Sequence, residues 1–143
     1  PLFYVSSSPW NVYDVLLQFL ELNNIPIGPL LLRDWGLSPE EILPTHHAKH
    51  KLSMIRQILH TYPDLPFLLL GDSGQEDPEI YSQIVSEFPK RIVGIYIRDV
   101  TGQERKLSIE ALAKSVAENQ SFLELSPESM PMMEDAKARG LIS

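Results

Sequence analysis

Asp72 and Asp77 are the residues whose type and spacing most readily do chemistry. They stand in Gly71-Asp72-Ser73-Gly74-Gln75-Glu76-Asp77-Pro78, directly after the apolar run Leu65-Pro66-Phe67-Leu68-Leu69-Leu70. An apolar run without a polar break reads as a strand buried on both faces. Gly-Asp-Ser-Gly is the turn that ends it, and Asp77-Pro78 opens a helix. Both carboxylates then fall at the carboxyl end of a core strand, the edge where open α/β sheets take their ligands. Two carboxylates on adjacent backbone can share one hard cation, and Mg²⁺, which keeps several waters, suits such an oxygen donor set. The same residues admit a structural reading: Asp77 before proline is an N-cap, and Asp72 can close an Asx turn.

Four other groups carry chemical potential. Ser6, Ser7 and Ser8 end the first strand, where hydroxyls and amides at a strand-to-helix turn can hold a phosphate. Ser8 followed by Pro9 equally makes a helix cap. Lys51, in the first half of a helix, is either a point charge for phosphate or a solvated helix lysine. His46 and His50 are i, i+4, with His47 between them, but a zinc site wants a third ligand and a second shell, and neither is indicated nearby. Arg33-Asp34 and Arg98-Asp99 read as ion pairs at strand ends. Met130, Met132 and Met133 read as gap-filling core or a docking face. There is no P-loop and no dinucleotide fingerprint.

The elements that must position these residues follow from periodicity. Strands are predicted at Leu2–Val5, Leu30–Leu32, the run ending at Leu70, and Ile92–Ile97, with a short one near Phe122–Leu125. Helices are predicted from Trp10 to Asn23 (Val12, Val15, Leu16, Phe19 and Leu20 inward), Ala48 to Thr61, Pro78 to Phe88, Leu107 to Glu118 and Met132 to Arg139, with a loop over 37–47. Strands alternating with helices make βαβ units and a parallel sheet, and right-handed crossovers wind it into a three-layer α/β sandwich. With 143 residues, 43% hydrophobic and 22% charged, the chain reads as a single globular domain, its core over about 1–100 and its remainder, 101–143, a C-terminal extension. A net charge of −7 argues against a nucleic-acid surface. The lack of cysteine excludes a disulfide framework and a thiolate site, which fits a cytoplasmic protein. No apolar run reaches the length of a membrane span.

Taken in order, strand-Ser6, Lys51 near a helix start and strand-Gly71-Asp72-Ser73-x-x-x-Asp77 resemble motifs two, three and four of the haloacid dehalogenase phosphohydrolase superfamily. Phe3-Tyr4-Val5-Ser6-Ser7-Ser8-Pro9-Trp10-Asn11, Gly28-Pro29-Leu30 to Arg33-Asp34-Trp35-Gly36, His50-Lys51, Gly71 to Tyr81 and Ile95-Tyr96-Ile97-Arg98-Asp99-Val100 are similar to the catalytic domain of the phosphatidate phosphatase family associated with yeast actin patches, which has bacterial members. The resemblance covers about residues 1 to 100. It implies Mg²⁺-dependent phosphomonoester hydrolysis through an aspartyl-phosphate, on a phosphorylated small molecule or on phosphatidate at a membrane surface. Ser6, with Ser7 beside it, would bond the phosphoryl oxygens, Lys51 would neutralise phosphate charge, and Asp72 and Asp77 would hold Mg²⁺.

One motif is missing. The superfamily's Asp-x-Asp segment supplies the nucleophile, and no Asp-x-Asp occurs in these residues. The chain opens at Pro1 and enters a strand at once, so the expectation is a processed piece, inactive alone, whose sheet lacks its first, central strand. An alternative is a non-catalytic phosphate- and Mg²⁺-binding or scaffold module. With strands spaced about 4.8 Å apart, the lost strand would leave a gap between the strand ending at Ser6 and the one ending at Asp72. Either a further segment or a second copy fills it, or the two strands close up.

Overall fold

The computed structural model describes residues 1–33 and 44–143, and within 44–47 the backbone only. Asp34, Trp35, Gly36 and the loop read over 37–43 lie outside the described residues, as do the side chains of His46 and His47. The chain is α/β with parallel strands throughout, and it divides into two compact units, Pro1–Thr61 and Tyr62–Ser143.

In the first unit, β1 (Tyr4–Pro9) pairs in parallel with β2 (Leu30–Arg33), Tyr4 opposite Leu30 and Val5 opposite Leu31. The strand runs through all three serines to Pro9, four residues past the predicted end at Val5. Ser8 therefore caps nothing: its N–H donates to Ser6 Oγ at 3.1 Å, and a short 3₁₀ turn starts at Trp10. The helix α1 (Tyr13–Leu22) buries Leu20 and leaves Val15, Phe19 and Leu22 exposed, so the inward row is Val12, Leu16 and Leu20 at strict i, i+4 spacing. The helix α2 (Pro44–Thr61) starts before the predicted Ala48, with Pro44 as its first residue, where a missing N–H costs nothing. It packs on β1 through a row containing Leu52, Ile55, Ile58 and Leu59.

In the second unit, β3 (Phe67–Asp72), β4 (Ile92–Arg98) and β5 (Leu123–Ser126) form a parallel sheet in that order. Among the described residues the strand read as buried on both faces is paired on one side only, and none of its residues is fully buried. Leu70 is 62% exposed, while Ile92, Ile95, Tyr96 and Ile97 of the central β4 are buried. Composition cannot tell an edge from a centre, because both are equally apolar here. Each unit has its own parallel sheet, β1 with β2 in the first and β3 with β4 and β5 in the second.

Helices α3 (Asp77–Glu87) and α4 (Gln103–Glu118) pack together beside this sheet, burying Ile80, Ile84, Val85, Ile109 and Val116. Tyr96 turns to α5 (Ser129–Ala138) and donates its O–H to Asp135 at 2.7 Å. Side-chain alternation leaves Ile95 and Ile97 to the opposite face. Phe122 lies over Gly94, where a Cβ would come within 2.2 Å of its ring, and meets Tyr96 edge-on at 5.3 Å. Residues beyond 100 are therefore woven into the sheet of this unit: β5 is the neighbour of β4, and α4 is the neighbour of α3.

Candidate functional site

The turn from Gly71 to Asp77 is the best-defined local structure around any candidate residue. After β3 the Asp72 carboxylate folds back, and Gly74 N–H donates to its Oδ1 at 2.8 Å, an Asx turn as the structural reading expects. Asp77 behaves differently from a cap. The capping position belongs to Glu76, and Asp77 is the first residue of α3, with Pro78 behind it. Its carboxylate reaches back across the turn and accepts from Asp72 N–H at 3.3 Å. One carboxylate is thus tied to the backbone of the other, and the sequence spacing becomes a spatial pair.

Close approach makes this pairing specific. A Cβ on Gly71 would stand 2.7 Å from Asp77 Oδ2 and 2.9 Å from Tyr81 Cε2, so only glycine fits at the point where β3 passes Asp77. Asp77 is 4% exposed and Asp72 half-buried. Tyr81, one turn along α3, donates its O–H to the Leu70 carbonyl at 2.8 Å. Burial pushes the pKa of that phenol well above its usual value, and the charges of Asp77 and then Asp72 raise it further. A single buried phenol thus feels both carboxylates.

Residues outside the turn hold it. Ser73 is buried, its N–H donates to the Arg98 carbonyl at 2.9 Å, and its Oγ accepts from Val100 N–H at 2.9 Å. Asp99 accepts from Ser73 Oγ at 3.3 Å and from Thr101 N–H at 3.2 Å, so it braces the turn instead of pairing with Arg98. The expected Arg98–Asp99 ion pair is replaced by this network. Arg105 holds the far side by bonding the Ser73 and Gln75 carbonyls and pairing with Glu79. The Arg105 guanidinium keeps the Glu79 carboxyl below its usual range, against a smaller upward push from burial. Ser73, Asp99 and Arg105 are absent from the sequence-based site. Their only local signal is the repeat of a charged pair at strand ends, which says nothing about a contact 32 residues away.

Ser6, Ser7 and Lys51 lie in the first unit. The serines are half-buried on β1, and Lys51 is on the helix that packs against that strand. Lys51 is 8% exposed, in line with Ile55, Ile58 and Leu59 on the inward row. That overturns the solvated-lysine reading, because a side chain on this row points at β1 and away from water. A groove of about 650 Å³ in the same unit is lined by Trp10, Leu30–Arg33 and, from α2, Lys49, His50, Ser53, Met54 and Gln57, and none of the three candidates lines it. Arg33 is buried beside this groove; its expected partner Asp34 lies outside the described residues.

The residues present suit a hard divalent cation. Asp72 and Asp77 offer carboxylate oxygens only, joined by a single backbone bond across a turn that glycine keeps tight. Among the described residues no three His, Cys, Asp or Glu side chains gather to hold an ion. The chain's own share is then two carboxylates, and further positions would fall to water, the coordination Mg²⁺ favours. Among the described residues no helix is long and apolar enough to cross a membrane.

Comparison with known proteins agrees with the residue pattern. Residues 1–99 match the family described as phosphatidate phosphatase APP1, catalytic domain. The chain is similar to the phosphatidate phosphatase APP1 of Saccharomyces cerevisiae, 38% identical over 96 residues, which make up 67% of this chain and 16% of that protein. It is also similar to an uncharacterized protein of Schizosaccharomyces pombe, 35% identical over 98 residues, 68% of this chain and 16% of that one. The matched stretch therefore spans about a sixth of these relatives' length. No solved structure matches the chain.

Proposed function

The chain belongs to the phosphatidate phosphatase APP1 catalytic-domain family, and on that premise we propose that it carries the phosphate- and cation-holding part of a Mg²⁺-dependent phosphatidate phosphatase of the haloacid dehalogenase type. The observation that carries this reading is the Asp72–Asp77 turn, in which the Asp77 carboxylate is drawn back onto the Asp72 amide across a glycine that admits no side chain. Such a turn presents two carboxylates as one anionic unit. The cation supplies charge neutralisation for phosphoryl oxygens. Ser6 donates its hydroxyl to a phosphoryl oxygen, with Ser7 beside it. Lys51 brings one positive charge to the phosphate from the inward row of α2. An aspartate outside residues 1–143 is the nucleophile that forms the aspartyl-phosphate, because no Asp-x-Asp stands within them.

The substrate is phosphatidate by family and a phosphorylated small molecule by chemistry. A lipid phosphate requires work at a membrane surface, so the protein acts in the cytoplasm as a peripheral enzyme. Among the described residues β3 is paired on one side only, and that edge, with Leu70 62% exposed, suits pairing with the strand that brings the nucleophile or with a second copy. A second reading, a non-catalytic phosphate- and Mg²⁺-binding or scaffold module, is favoured by the same lack of Asp-x-Asp.

The test is phosphate release from phosphatidate vesicles by the natural polypeptide that includes these residues, with and without Asp72→Asn. Loss of activity on the order of 100-fold is expected. Near wild-type turnover of the variant at saturating Mg²⁺ sinks the cation assignment, and inactivity of the unaltered polypeptide on any phosphomonoester favours the binding module.

A further inference from the structure

The backbone between Asp72 and Asp77 is bonded by a side chain beyond the residues that match the family. Arg105, in the first turn of α4, donates from Nε to the Ser73 carbonyl at 3.1 Å and from Nη2 to the Gln75 carbonyl at 2.8 Å. The same guanidinium pairs with Glu79 in the first turn of α3, Nη1 to Oε1 and Nη2 to Oε2, the latter at 2.8 Å. One rigid planar fork therefore spans the backbone that follows Asp72 and the helix that opens at Asp77. A guanidinium can do this because its donors are fixed in a plane, which an ammonium cannot imitate. The contact also compensates the charge of Glu79, two residues after Asp77.

We propose that Arg105 is a positioning residue for a divalent-cation site at Asp72 and Asp77: it sets the turn between them without touching the ion. The inference rests on the Mg²⁺ reading of those two carboxylates given above. It assigns a function to the stretch after residue 99, where the family match ends. Side chains that orient ligands from behind commonly control 10- to 100-fold of metal affinity.

The test is direct binding of Mg²⁺ to the natural polypeptide that includes these residues by titration calorimetry, with Mn²⁺ followed by electron paramagnetic resonance as a second probe. Arg105→Ala is expected to weaken binding by about tenfold or more. Arg105→Lys keeps the charge but not the fork, stays weak, and carries the test if the alanine variant does not fold. Tyr96→Phe removes the bond to Asp135 in the same unit and is expected to bind as the unaltered chain does, which separates positioning from a general loss of stability. Unchanged affinity in both Arg105 variants overturns the inference and leaves the Asp72–Asp77 reading standing. An unaltered chain that binds neither ion overturns that reading, and the inference with it.

Discussion

At the scale of single residues, the chemistry of this chain depends on exclusion as much as on ligands. Gly71 contributes no functional group, yet a methyl group there would meet Asp77 Oδ2 at 2.7 Å and Asp77 Cβ at 2.8 Å. Gly71→Ala must push the Asp77 side chain or the first turn of α3 away from β3, at a cost of roughly 1–3 kcal/mol for overpacking a tight contact. A lower urea midpoint for the second unit and a weaker divalent-ion affinity are expected together, and an alanine variant as stable as the parent contradicts the contact. Lys51 makes the complementary point. From sequence it is one lysine on a polar helix start; in the fold it is 8% exposed, on a row with isoleucines and a leucine. Its burial on the inward row, which its type does not encode, is what separates it from an ordinary surface lysine.

At the scale of elements, β4 and α4 organise the second unit around the turn. Val100, just past β4, donates to Ser73, and α4 supplies Arg105, so two elements that follow the turn in sequence clamp it in space. The Arg105–Glu79 pair joins α4 to α3, with side chains 28% and 43% exposed, so solvent screening keeps its contribution small. Its pH dependence has a definite sign. The folded Glu79 carboxyl titrates below its ordinary value of 4.5. The stability it adds is therefore complete above that value and is lost as pH falls through the lower, folded value. The difference in Tm between the unaltered chain and Glu79→Gln should be steady above pH 4.5 and should close below it. A gap that holds from neutral pH to pH 3 contradicts the assignment. Tyr96, pushed up to about 12 chiefly by burial and then by its bond to Asp135, stays protonated throughout and serves α5 as a structural donor.

At the scale of the whole molecule, the fold class was legible because strands and helices alternate with clean periods, and the parallel pairing follows from that alternation alone. The two-carboxylate turn was legible because glycine and proline punctuate it. One whole-molecule prediction rests on sequence: the 143-residue chain alone should release no phosphate from phosphatidate while still binding Mg²⁺, and hydrolysis that survives purification contradicts the placement of the nucleophile outside it. What could not be read locally was everything carried by long-range contact. The start of α4 was missed because Gln103-Glu104-Arg105-Lys106 has no apolar period, and Arg105 went with it, since its partners lie around residues 73–79. The exposure of Leu70 on β3 was missed because hydrophobicity records how much an element wants burial, not which neighbours it obtains. The sequence by itself determined the residue types at the turn, the element order and the family pattern, all encoded within a few residues of each position. The tertiary structure alone decided that Asp77 bonds back to Asp72, that Lys51 faces inward and that Arg105 locks the turn, because each depends on backbone approach and packing between segments that composition leaves unconstrained.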